Sequence, residues 1–587
     1  MNNTLMILGA GAALFIGSLA VTQPQVGVPG EPPTNRELNI GITQEFENMN
    51  PVIMSMVATT YTGRMVGRSL VQIDEHNNWL PQLAIDIPTL ENGLARLKEE
   101  GGRRWIEADY EIEPKAVWGD GQPLTCADFR FAWEVGSSPN VSVPNTEAYR
   151  RIRDIRVDPD NPKQCTFVYR DALWDFNRHH RFHPLPEHLE RPVFERHGNE
   201  PQGYEQHSLY SMDATNPGLY HGPYLVKDMV LGSHIILERN PGFYGDRPHI
   251  DRIVIKLIPN TGTLEANLRS GTLDMVSTLG MSFDQALAFE ERVQRQELPF
   301  NVHFVPGMTY EHLELDLAEP FLNDLNVRRA LTHAIDRKGL SKALFDGKQP
   351  PALHNFAPAD AWYTDDPEKI VVYRYSRRLA NRLLEDAGYE MGEDGYRYND
   401  AGERLRLRLM TTAGNKIREL VQIYLQDQWR AIGVDVRIQN EPARVFFGET
   451  LRRRTYDGVA MFAWSSSPES TPRSQFSAEQ IPSEENGWSG QNYMGWSNPT
   501  VETLLDQLDR EFDAQKRLKI VHEMLYHYTN EVPRIPLFYR SETSVTPANM
   551  VGYQITSHQI SAANHVERWR LLDESELHEQ GLAASTP

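Results

Sequence analysis

An α/β fold spread over two or three domains is predicted for this chain, and three observations predict it. Between Tyr224 and Val276 a hairpin leads into a strand–helix–strand unit. Between Leu405 and Ala463, strand–helix–strand–helix–strand follows, the pattern of parallel neighbours joined by right-handed crossovers. The third observation is size: 587 residues exceed what one core usually holds. Hydrophobic content of 40% and charged content of 24% are those of a soluble protein. A net charge of -21 excludes the basic footprint of a nucleic-acid binder. It does not identify a cationic ligand, because surface acid mainly serves solubility.

From the N-terminus, Leu5–Val21 is the one segment apolar enough to concern a membrane. It is slightly long for a signal core and slightly short for a comfortable span, so cleaved signal and uncleaved anchor both stand. Ser18-Leu19-Ala20 offers the small residues of a cleavage site before Val21, although no Lys or Arg precedes the run. Pro24, Pro29, Pro32 and Pro33 mark an extended linker. A first strand is expected at Leu38–Ile42, followed by a polar loop to Pro51. Met65–Ile73 reads as a helix running into a strand. Ile106–Ile112 alternates, Asp120-Gly121 turns, and Thr125 opens a helix with Phe129, Ala132 and Trp133 on one face.

The chain has two cysteines, Cys126 and Cys165, in one expected subdomain; a disulfide and two buried thiols are equal alternatives. His179, His180, His183 and His188 are not a metal set, because Pro184 and Pro186 break the helix that would align them. His522 and His527 stand five apart, which turns the second off the face a zinc helix needs.

The strands Tyr224–Val230 and His234–Arg239 flank a Gly-Ser turn, and Ile253–Ile258 reads as a strand buried on both faces. Leu264 and Leu268 share a helical face, Gly271 stands at its C-cap, and Leu273–Val276 starts a further strand. Val327, Ala330, Leu331, Ala334 and Ile335 form a core-facing stripe with Asn326 as N-cap. Helix Ser376–Ala387 stops at Gly388; Leu405, Leu407 and Leu409 alternate. Then come helix Lys416–Ala431, strand Val434–Ile438, helix Ala443–Arg453 and strand Asp457–Ala463. Ligands bind beyond the carboxyl ends of such strands. There Trp464 precedes Ser465, Ser466 and Ser467, an aromatic face beside small hydroxyls. A half-buried Trp on a capped turn is the plainer alternative.

Several segments resemble the large solute-binding proteins (family 5) of bacterial ABC importers, which include oligopeptide- and dipeptide-binding proteins. They are GPYLVK with LERNPGFYGDRPHIDRIVIKLI and LRSGTLDMV, then AVWGDGQPLTCADFRFAWE, PFLNDLNVRRALTHAIDRKGL and PRIPLF. The resemblance implies a two-lobed periplasmic-binding-protein fold, type II or flytrap, with an extra inserted domain. Residues 1–20 would be the signal or anchor and 21–36 the linker. A discontinuous first domain would take 37–75, 187–306 and 535–572. The inserted domain would be 76–186, the third domain 307–534, and 573–587 a disordered tail.

The resemblance further implies a monomeric importer component in the periplasm, freed or tethered to the inner membrane. It would have no enzymatic activity, cofactor or metal, and would deliver a peptide-like or other polar solute to a permease and its ATPase. In the peptide-binding members an Asp after this Trp pairs with the ligand's free ammonium, and Ser467 stands at that position here. Loss of such a charge-assisted bond costs roughly 1.5–3 kcal/mol, which makes an ordinary free peptide a poor ligand. Other wall candidates are Glu45, Asn48 and Tyr61 on the first domain, Tyr310 near the crossover, and Asn492, Tyr493 and Trp496. The rivals are a secreted hydrolase, for which no G-x-S-x-G, HExxH or Walker motif appears, and a non-transport receptor or chaperone on the same scaffold.

Overall fold

A computed structural model describes residues 36–579, apart from Ser55, Asn77, Asn145, His180, Arg181, 467–470, Gly487 and 558–560. The expected signal and linker lie outside the described residues. No helix among those described is long and apolar enough to cross a membrane.

A ten-stranded sheet runs through the molecule. Its strands are β1 (Glu37–Ile42), β2 (Tyr224–Val230), β3 (His234–Arg239), β4 (Arg252–Leu257), β5 (Met275–Val276), β6 (Phe300–Leu315), β7 (Arg406–Met410), β8 (Asp435–Ile438), β9 (Gly458–Ser465) and β10 (Arg534–Pro547). Their spatial order is β8-β7-β9-β6-β10-β5-β1-β4-β3-β2. The β2–β3 hairpin has the expected bounds, and β1 lies parallel to β4 and β5. β7 lies parallel to both β8 and β9, as crossover connections require. Central positions such as Ile40, Ile253 and Ile255 are fully buried, so an apolar run in sequence becomes a strand covered on both faces.

The long strands β6 and β10 are the physical link between the two lobes. Phe300–Pro306 pairs with Ser541–Pro547, whereas Tyr310–Glu314 pairs with Arg534–Tyr539, and the register breaks between Pro306 and Tyr310. Pro306 carries no N–H to donate, so the ladder is interrupted where the chain passes from one lobe to the other.

A separate four-stranded antiparallel sheet is made by Ala95–Glu100, Arg103–Glu111, Gln164–Tyr169 and Ile152–Val157, in that spatial order. Its Ile106, Tyr110 and Phe167 share one continuous apolar core with Leu38, Ile255 and Trp569. Helix Cys126–Gly136 lies against it. Thr125 Oγ1 accepts from the Ala127 N–H at 3.3 Å, and the Asp128 carboxylate accepts from the Thr125 N–H at 2.7 Å. Cys126 and Cys165 form a disulfide, with Cα atoms 6.0 Å apart.

Other details differ from the sequence reading. Helix Leu325–His333 is capped by Asp324, not Asn326; the Asp324 carboxylate accepts from the Asn326 N–H at 2.7 Å, and its charge suits a helix N-terminus. The helix expected over 443–453 is a short turn, Ala443–Val445, followed by a π-helical stretch, Phe446–Leu451. Phe446 and Leu451, five apart, are both fully buried; an α-helix would separate them, and i→i+5 winding brings them to one face. Residues 574–579, read as tail, form a short helix. There the Asp573 and Glu576 carboxylates accept from each other's N–H groups at 2.9 Å.

Candidate functional site

β9 continues past Ala463 to Ser465 because β6 offers partners: Tyr310 faces Trp464, His312 faces Phe462 and Glu314 faces Ala460. Alternation places Tyr310, His312 and Glu314 on the face that carries Phe462 and Trp464. The Trp464 ring is half-buried and lies 6.0 Å from the Tyr493 ring at an interplanar angle of 15°. The Trp464 Nε1–H is buried without a hydrogen-bond partner among the described residues. A buried donor left unpaired is costly.

Under this ring lies an ion pair that the sequence reading missed. The Arg534 guanidinium sits 5.9 Å from the Trp464 ring centre and grips the Glu314 carboxylate, with Nη2 to Oε1 at 3.0 Å. Both side chains are fully buried. His312 Nε2 lies 3.0 Å from the other Glu314 oxygen, and the His312 ring stacks on Tyr310. Burial pushes the Glu314 carboxyl up, but Arg534 and His312 outweigh it and hold the group below its ordinary range. Burial also pulls the His312 imidazole down, partly offset by Glu314.

Beyond β9, the Ser465 hydroxyl lies 2.7 Å from the Thr309 hydroxyl, and the Ser466 hydroxyl donates to Asp360 Oδ2 at 3.2 Å. Asp360 is itself buried, and Oδ1 accepts from the Trp362 N–H at 3.0 Å. Burial pushes this carboxyl up to about 7, against the pull of those two donors and the Arg178 charge. Ser467 lies outside the described residues.

The remaining candidates separate. Tyr310 is buried between Trp464 and Tyr539 in a small cluster at the lobe junction. Asn492 and Trp496 are buried in the loop that carries Tyr493. Asn492 is fully buried and binds the Ser477 and Trp496 carbonyls at 3.0 and 2.8 Å. Trp496 Nε1 donates to Glu531 at 2.7 Å. Tyr61 is fully buried in the first core. Glu45 is exposed, and Asn48 uses its side-chain oxygen to accept from the Asn50 N–H at 3.0 Å.

Where the lobes meet, a cavity of about 370 Å³ is lined by Thr278, Ser282 and Asp284 from one side and Thr309, Asn415 and Arg418 from the other. On its floor Glu311 pairs with Arg540 and, at 3.1 Å, with Arg418. Those two guanidinium groups overcome the burial that raises the Glu311 carboxyl and leave it lowered. A second junction is apolar. Trp174 sits edge-on to Trp362 at 5.8 Å, with the Arg178 and Arg517 guanidinium groups 4.4 and 4.3 Å from its ring. Among the described residues no group of three His, Cys, Asp or Glu side chains is placed to hold a metal ion.

Residues 98–480 match the family model "Bacterial extracellular solute-binding proteins, family 5 Middle". The oligopeptide-binding protein AppA of Bacillus subtilis (strain 168) is 23% identical over 575 residues, which cover 97% of this chain and 98% of the relative. The oligopeptide-binding protein from Thermus thermophilus, solved with a pentapeptide, is similar at TM-score 0.65 and 26% identity over 94% of this chain and 98% of that one. NikZ from Campylobacter jejuni, solved with Ni(L-His), is similar in fold at TM-score 0.65 and 21% identity, over 91% of this chain and 99% of that one. The two-lobed α/β architecture, the model match over more than half the sequence and the near end-to-end relatives agree: the chain belongs to the bacterial extracellular solute-binding proteins, family 5.

Proposed function

We propose that this protein is the binding component of an ABC importer that captures a peptide-like or other polar organic solute between its lobes. The observation that carries this reading is the Trp464–Tyr493 pair at the end of β9, with the unpaired Trp464 Nε1–H beside the Ser466–Asp360 contact. An aromatic face, one donor unpaired among the described residues and one buried acid suit a ligand with a flat or apolar part and polar ends. A ligand that touches both lobes only when they are closed stabilises the closed form, which the membrane permease and its ATPase would then recognise. The relatives named above bind an oligopeptide or a nickel–histidine complex, so the scaffold carries chemically different cargoes.

The test is native mass spectrometry of the purified protein against a denatured spectrum, followed by titration of the released compound into the native chain and Trp464→Ala. A bound mass that fragments as a peptide or small polar solute is expected, with affinity roughly ten- to hundredfold weaker in Trp464→Ala. Unchanged affinity in that variant removes Trp464 from the site. Turnover of the released compound by the native protein would instead favour the hydrolase.

A further inference from the structure

A second, partly open cavity, of about 560 Å³, is bounded by residues between Thr332 and Pro536. Its walls are mainly apolar, including Ile335, Leu353, Val372, Tyr373, Val532 and Pro536, and neither Trp464 nor any residue before 332 reaches it. The volume lies in the range of small-molecule sites.

One wall residue is anomalous. Arg337 is 9% exposed, and its guanidinium meets only backbone oxygens: Nε donates to Pro536 O at 2.6 Å and Nη1 reaches Thr332 O at 3.4 Å. No carboxylate pairs with it among the described residues, and burial alone pulls it down to about 10. The nearest acid in sequence, Asp336, spends its side chain capping the following helix, where it accepts from the Gly339 N–H at 2.9 Å. By contrast Arg534, on the same cavity wall, has its counter-ion in Glu314. Four wall residues are basic (Arg337, Lys338, Arg374 and Arg534) and one, Asp336, is acidic. A buried cation without an anion is among the most costly arrangements in a protein interior, and two carbonyls satisfy only part of a five-donor group.

We infer that this cavity is a binding site for a small amphipathic carboxylate, whose head group pairs with Arg337 and whose hydrocarbon body fills the apolar space. The cavity shares Arg534 with the surroundings of Trp464, but Arg337 belongs to it alone, and the inference does not depend on the importer reading. Occupancy would tie Pro536 of β10 to Thr332 and the adjoining helix, and so stiffen the part of β10 next to the lobe junction.

The probe is 4-phenylbutyrate, with neutral 4-phenylbutanol as control, titrated calorimetrically into the native chain and three variants. One saturable site is expected, with the alcohol roughly ten- to hundredfold weaker, the range of one charge-assisted contact. Arg337→Met should bring the acid down to the level of the alcohol. Val372→Trp, which fills the cavity and leaves Arg337 in place, should abolish binding of both, and Trp464→Ala should change neither. If Arg337→Met does not fold, Val372→Trp decides alone. No saturable binding, equal binding of acid and alcohol, or binding that survives Val372→Trp and vanishes in Trp464→Ala overturns the inference.

Discussion

Asp360 holds a carboxyl whose pKa is raised by burial from 3.8 to about 7, so its protonated form is favoured in the folded state. Between those two values the folded protein binds more protons here than the unfolded chain, and stability falls as pH rises. The contribution is fully present below about pH 4 and lost through about pH 7, at most on the order of 4 kcal/mol. Asp360→Asn should flatten that part of the stability–pH curve in denaturant titrations; an unchanged slope sinks the assignment. Glu314 is the opposite case. Its loss in Glu314→Gln strands the fully buried Arg534, at about 3–5 kcal/mol, whereas replacing both with apolar residues of similar volume should cost far less. Urea unfolding of the single and double variants checks both statements. These residues also show why the site was only partly legible. Trp464 stood out as an aromatic side chain at a strand end. Asp360 is one of several acids in the stretch PADAWYTDD, and sequence offers no sign that this one is buried. Glu314 and Arg534 lie 220 residues apart, and only the pairing of β6 with β10 brings them together.

Elements governed by local chemistry were the most legible. The Gly-Ser turn and alternating flanks set the β2–β3 hairpin to the residue, and the Thr125–Asp128 cap set the start of its helix. The π-helical stretch at Phe446–Leu451 was not legible, because spacing alone does not show which of its residues Tyr456 and Phe462, a few positions further on, will cover. The disulfide also needed the fold, which brings the first turn of one helix to the start of a strand. It closes a loop with a sequence separation of 39, for which chain entropy gives about 4 kcal/mol. Replacing both cysteines by serine should lower stability by up to that amount, read as an earlier transition reported by Trp133 in the helix and Trp118 before it. Equal stability of the oxidised and reduced protein would remove the disulfide from the account.

At the scale of the whole molecule, the family resemblance implied two lobes but not what holds them against each other. Trp174, from the segment that follows the four-stranded sheet, is buried in the cluster of Trp362, Phe476, Trp496 and Tyr528. Flanked by Arg178 and Arg517, it carries two cation–π contacts, each about 0.5–1 kcal/mol or more when desolvated. Trp174→Ala should therefore shift the ligand-free population roughly tenfold toward an open form, seen as a larger radius of gyration in small-angle scattering. An unchanged radius would show that Trp174 fills space without latching. The placing of β10 between β6 and β5 has a further consequence, for how the chain comes into being. A ribosome releases residues 300–315 long before residues 534–547, so β6 and β5 must wait with open edges for a strand that arrives near the end of synthesis. A sheet that cannot close until its last long strand emerges keeps the core from being completed until late in synthesis. Chains truncated before Arg534 should accordingly stay sensitive to protease, while those that extend past Pro547 become resistant.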